Sequence, residues 1–136
     1  MSLAEIKNRI LQTEINFQRT VGSTKLIAVS KVQPNNRVEL VLEEGHRIFG
    51  ENRIQEAQKK WPRFKEQYDN VELHIIGPLQ TNKTRAAIEL ADSIHTLDRI
   101  KLAKSMARIA QELGKCPNLF VQVNTGDEEQ KTGVSP

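Results

Sequence analysis

The chain has 136 residues, 38% of them hydrophobic and 27% charged, the size and balance of one globular domain, which excludes a disordered or low-complexity segment. A net charge of +3 permits a nucleic-acid partner, but Lys and Arg are interleaved with Asp and Glu, and four Phe, one Tyr and one Trp leave little surface for base stacking. Cys116 is the single cysteine, the N-terminus has no basic flank with a long apolar run, and no run approaches the roughly 20 apolar residues that span a bilayer, so a cytoplasmic protein with no membrane and no nucleic-acid partner is expected.

In chain order, Ser2 followed by Glu5 is a capping-box pair, and Leu3, Ile6, Ile10 and Phe17 recur at near-helical spacing, so a helix comes first. Gly22 and Ser23 break it. Residues 26–31, Leu-Ile-Ala-Val-Ser-Lys, are a short branched run that ends in a cation, the pattern of a buried parallel strand delivering one side chain to its C-terminal end. Alternation puts Ile27, Val29 and Lys31 on one face, an apolar wall in which desolvation would lower the lysine pKa and favour the neutral, nucleophilic amine. Pro34 then begins a helix through Val38, Val41 and Leu42 that ends at Gly45.

Arg47 to Gly50 reads as a second strand. Asn52, with Gln55, can cap a helix carrying Ile54, Ala57, Trp61 and Phe64, which Pro62 should kink or shorten. A third strand, Val71 to Ile76, ends at Gly77-Pro78, and Thr81 can cap a helix through Ala86, Ala87 and Ile88. Ser93 to Thr96 is a fourth strand; Asp98 caps a helix whose stripe is Ile100, Ala103, Ala107 and Ala110 and which Gly114 closes. Leu119 to Val123 is the fifth strand.

Five strands separated by four helices imply parallel pairing with right-handed crossovers. An open doubly wound sheet of five strands would be complete, but no Gly-rich phosphate loop follows the first strand. Polar residues gather just after every strand, where a (β/α)8 barrel of the TIM type keeps its site. The α/β reading is therefore a single domain, residues 1–136, forming an incomplete barrel. Inside the third strand, His74 reads as a hydrogen-bonded core residue or an acid/base, and His95 lies near the end of the fourth. Asn82, Lys83 and Arg85 would put cations at a helix N-terminus, against the macrodipole, a placement that an anion would relieve. No Cys/His cluster has metal-ligand spacing, and no Gly-x-Ser-x-Gly occurs.

Five blocks carry a resemblance: Ala28-Val29-Ser30-Lys31; Phe49-Gly50-Glu51-Asn52 with Gln55-Glu56; His74 through Gln80 with Asn82-Lys83; His95-Thr96-Leu97-Asp98; and Val123-Asn124 through Lys131-Thr132-Gly133. Together and in this order they resemble the pyridoxal phosphate homeostasis protein family. The resemblance implies a barrel similar to the N-terminal domain of alanine racemase, with pyridoxal phosphate as cofactor held as a Schiff base on Lys31. Val29, Asn52, His74 and His95 are the other cofactor-binding candidates, and the implied role is that of a carrier or buffer with no catalytic turnover. The family's chains continue with a Gly/Ser-rich segment that grips the cofactor phosphate, so here the cofactor is expected to be weakly retained.

Other readings stay open. A racemase-like enzyme would need a second acid/base, for which His74 and His95 are the only candidates. A fragment of the family without its phosphate grip need not bind at all, and a basic RNA module would bind with steep salt dependence and ignore Lys31→Ala. An incomplete barrel exposes the inner faces of its strands, which is expected to drive self-association or pairing with a C-terminal half.

Overall fold

Why the chain folds as an arc of a barrel is visible in the order of its strands. The computed structural model describes residues 1–136 and contains β1 (Ala28–Val29), β2 (Ile48–Glu51), β3 (Glu72–Ile75), β4 (Ser93–Leu97) and β5 (Asn118–Val121). They form one parallel sheet in the order β1-β2-β3-β4-β5, each strand beside its sequence neighbour. A doubly wound sheet reverses its strand order at a switch point; a barrel wall never does. The unreversed order therefore decides between the two architectures in favour of the barrel type. The connecting helices are α2 (Asn35–Glu43), α3 (Ile54–Gln67), α4 (Thr84–Leu90) and α5 (Ile100–Leu113), with α1 (Leu3–Asn16) ahead of β1 and a 3-10 turn at Thr81–Lys83 before α4.

Crossovers of one hand put the helices on one side of the sheet, so alternate strand residues meet opposite surroundings. Phe49, Leu73, Ile75 and Ile94 point to the helices and are buried with Trp61, Phe64, Ile88, Leu102 and Met106 in a single core. On the other, concave face, Val29 is 50% and Phe120 51% exposed.

Local chemistry explains the element boundaries. Ser2 caps α1 through its hydroxyl, which accepts from the Glu5 N–H, while the Glu5 carboxylate accepts from the Ser2 N–H. The turn after α1 is fixed by Glu14, whose carboxylate accepts the backbone N–H groups of Gly22 and Thr24 at 2.7 and 2.6 Å; these bonds hold its pKa below the usual carboxylate value. Helix α3 continues through Pro62 to Gln67 and is not shortened by it. Its N-cap position is Arg53, not Asn52, and that of α5 is Arg99, not Asp98. Thr81 begins the 3-10 turn that precedes α4. On α5 the buried stripe is Leu102, Met106 and Ile109, whereas Ile100 is exposed. Both stripes have helical period, and burial selects the one with more apolar area to remove from water.

Candidate functional site at the C-terminal ends of the strands

The residues singled out in the sequence fall into two places. Lys31 and Asn52 follow the C-terminal ends of β1 and β2, the end where parallel barrels build their sites. His74 and His95 sit within β3 and β4. His74 is paired in register with Gly50, which is itself opposite Val29, so it lies two residues below the level of Lys31 and Asn52.

Lys31 is exposed, and the apolar wall expected around it is not formed. Regular strand structure at β1 covers only Ala28 and Val29, and Val29 is itself half exposed. Ile27 lies with Ile76 against Gly50, but the strand ends at Val29, and Lys31 falls in the turn beyond it, outside that cover. Ser30 instead turns towards the helix layer and is buried.

Asn52 does not cap α3, because its backbone is held in a close passage beside β3. A Cβ added to Gly77 would lie 2.3 Å from the Asn52 carbonyl oxygen, so only glycine allows the two strand ends to approach this closely. The Thr96 hydroxyl donates to the Gly77 carbonyl at 2.8 Å and ties the same point to β4. Beside this junction Asn52, Gln55, Pro78, Gln80 and Lys83 line a cleft of about 540 Å³.

The two histidines form a pair on the concave face. His74 Nδ1 lies 2.8 Å from His95 Nε2, His74 Nε2 lies 3.1 Å from a Glu72 carboxylate oxygen, and the His95 ring stacks on Phe120 at 4.7 Å. Burial, and next the neighbouring His74, hold the His95 pKa below its ordinary value, so its ring is neutral at pH 7. His74 is thus the hydrogen-bonded, buried residue that the sequence allowed. No group of three or more His, Cys, Asp or Glu is placed to hold a metal ion, no helix is long and apolar enough to cross a membrane, and Cys116 is free and exposed.

Reading the sequence missed a charged cluster behind Lys31. The Lys60 ammonium donates to the Ser30 carbonyl at 2.9 Å, to Glu51 at 3.0 Å and to Glu56 at 2.9 Å. The same Glu51 oxygen accepts from the Ser30 hydroxyl at 2.8 Å and from the Trp61 indole N–H at 3.1 Å. Glu56 in turn accepts the Val32 backbone N–H at 2.7 Å. Burial works most strongly against the Glu56 charge, yet Lys60 and the Val32 N–H outweigh it and hold the carboxyl below its usual pKa. Two signals were available: Glu56 and Lys60 are an i, i+4 pair on α3, and Glu51 shares the parity of the core residue Phe49 on β2. Neither signal names Ser30 or Val32 as partners.

Comparison with known proteins agrees with this architecture. A family model described as alanine racemase, N-terminal domain, matches residues 2–136. A pyridoxal phosphate homeostasis protein of Haemophilus influenzae is 41% identical over 119 residues, 87% of this chain and 50% of that protein; one of Pasteurella multocida is 36% identical over 99% of this chain and 58% of its own length. The solved structure of PipY from Synechococcus elongatus with PLP bound superposes with a TM-score of 0.76 at 36% identity, covering 96% of this chain and 58% of that one. The chain thus spans about half the length of the curated relatives it matches. With the unreversed parallel strand order and the lysine at the end of β1, these matches make the chain a member of the alanine racemase N-terminal domain family, within which it resembles the pyridoxal phosphate homeostasis proteins.

Proposed function

We propose that the chain binds pyridoxal phosphate through Lys31 and serves cytoplasmic homeostasis of that cofactor as a carrier or buffer, without catalytic turnover. The observation that carries this reading is the placement of Lys31: an accessible amine at the C-terminal end of β1, beside an open concave face, in a chain whose solved relative PipY holds PLP. Pyridoxal phosphate supplies an aldehyde, which condenses with an unprotonated amine with loss of one water.

The residues present fit such a group. The space a Cβ would take at Gly50 is closed by Ile27 and Ile76, each at 3.0 Å, so the face beside the lysine has an apolar patch for a ring to rest on. Val29 and Asn52 flank the lysine on β1 and after β2, and the Asn52 amide offers both a donor and an acceptor to a polar ring. His74 and His95 contribute a hydrogen-bonded floor to the same face. A racemase-like reading would take its acid/base from this pair, but the facing nitrogens of the two rings are engaged with each other and His95 is stacked on Phe120, which favours a binding role. The half-exposed Val29 and Phe120 support the reading that this face is covered by self-association or by a C-terminal half in the working protein.

Titration with pyridoxal phosphate followed by visible absorbance tests the proposal. The wild-type chain should develop a saturable imine band that borohydride reduction fixes on Lys31, and Lys31→Ala should not. A band of equal strength in Lys31→Ala overturns the assignment.

A further inference from the structure

The charged cluster behind Lys31 is an expensive way to stabilise a fold. Lys60 is 6% exposed and Glu51 not at all, and the second Glu51 carboxylate oxygen has no hydrogen-bond partner. Buried ion pairs with unsatisfied atoms are often no better for stability than apolar side chains of the same volume. What the cluster does provide is geometric, because its bonds converge on the two peptide groups that flank one residue.

Before Lys31, the Ser30 N–H donates to the Gly50 carbonyl at 3.0 Å, its hydroxyl donates to Glu51, and its carbonyl accepts from Lys60. After Lys31, the Val32 N–H is held by Glu56. Val32 has φ +61°, the left-handed region that a β-branched residue almost never enters, and its side chain is 83% exposed, so no packing of its own explains the conformation. Such strain persists only where the surroundings over-determine it, and the bond from Glu56 to the strained residue itself is the one that does so.

We infer that Glu51, Lys60 and Glu56 are positioning residues for Lys31: they clamp the backbone on both sides of it, hold the strained turn at Val32, and so set where its amine stands on the concave face. The inference rests on the reading of Lys31 as the cofactor lysine. It assigns these helix-side residues a part in cofactor binding although none of them lies on the face where the cofactor is proposed to bind.

Glu56 is the member to change, since it is 27% exposed at the rim of the cluster and its loss leaves the Lys60–Glu51 pair intact. In the cofactor-free full chain, Glu56→Ala should speed hydrogen exchange of the Val32 amide about tenfold or more with Tm little changed. In pyridoxal phosphate titrations the same variant should bind about tenfold more weakly. Glu56→Gln keeps an oxygen that accepts the Val32 N–H and should restore most of both properties, a rescue that a purely structural charge would not produce. The positioning role is overturned if Glu56→Ala binds as the wild type does, if its Val32 amide exchanges at the wild-type rate, or if weaker binding merely follows a fall in Tm. A wild-type chain with no Lys31-dependent band overturns the cofactor reading and the positioning role together, whereas a normal wild-type band with a normal Glu56→Ala band overturns the positioning role alone.

Discussion

Neighbouring residues on one strand of this sheet live in opposite surroundings. Phe49 packs under Trp61 at 4.8 Å between ring centres, while Gly50 next to it faces the concave side beside Ile27 and Ile76; Ile94 is fully buried, while His95 stacks on half-exposed Phe120. The helix side is a close-packed core in which an aromatic run from His46 through Phe49, Trp61 and Phe64 to Tyr68 crosses from β2 to α3. The concave side carries the amine, the amide and the imidazoles, with His74 buried and Lys31, Val29 and Phe120 exposed around it. The packed core and the proposed binding site thus lie on opposite faces, and Glu51, Lys60 and Glu56 bond from the helix side to the peptides on either side of Lys31.

The division is sharpest in a pair of truncations. Trp61→Ala removes a fully buried side chain and a donor to Glu51, and should cost about 3–5 kcal/mol of unfolding free energy in denaturant titrations. Phe120→Ala, on the concave face, should cost about 1 kcal/mol or less in the dilute chain, where no second copy covers it. Equal losses would mean that the concave face is covered and would break the comparison. An effect between these two is expected at the strand ends, where Gly77→Ala forces the Asn52 backbone away and should cost about 1–3 kcal/mol while loosening the cleft beside it. An alanine variant as stable as the wild type would show that the close passage is not required.

The smallest effect is on pH dependence. Burial holds both His46, on the helix side, and His95, on the concave side, below the ordinary histidine pKa. The unfolded chain therefore binds more protons as pH falls, and the stability these rings contribute is complete above about 6.5 and declines as pH drops from there towards their folded values. His95→Gln should flatten this slope without abolishing it, since His46 keeps its share, and His74 with Glu72 still faces the substituted position. A slope unchanged in His95→Gln would assign the whole dependence to His46.

Much of this was legible in the chain itself, for physical reasons that also mark where legibility stopped. Short strand-like runs between the helical stretches mark all five strands, and Ser2 with Glu5 behaves as the capping box its spacing announces. Asn52 and Asp98 look like caps because a good capping side chain is a local property, whereas both residues belong to the chain leaving a strand, and Arg53 and Arg99 take the N-cap positions. The α5 stripe was misplaced because the alanines and the larger Leu102, Met106 and Ile109 share a period, and only contact with the sheet decides which is covered. Lys31 was found by its place at the end of an apolar run, but its exposure depends on a wall that no window of sequence contains.

Local pattern and chain order are enough to give the kind and order of the elements, the family the blocks resemble and the lysine at the end of β1. The tertiary structure alone decided which face of each strand is packed, that His74 meets His95, and that Lys60 and Glu56 reach back to the peptides around Lys31. Alternation makes two faces equivalent until helices cover one of them, and contacts between residues some thirty positions apart, such as Lys60 with Ser30, exist only once the sheet has brought their strands together.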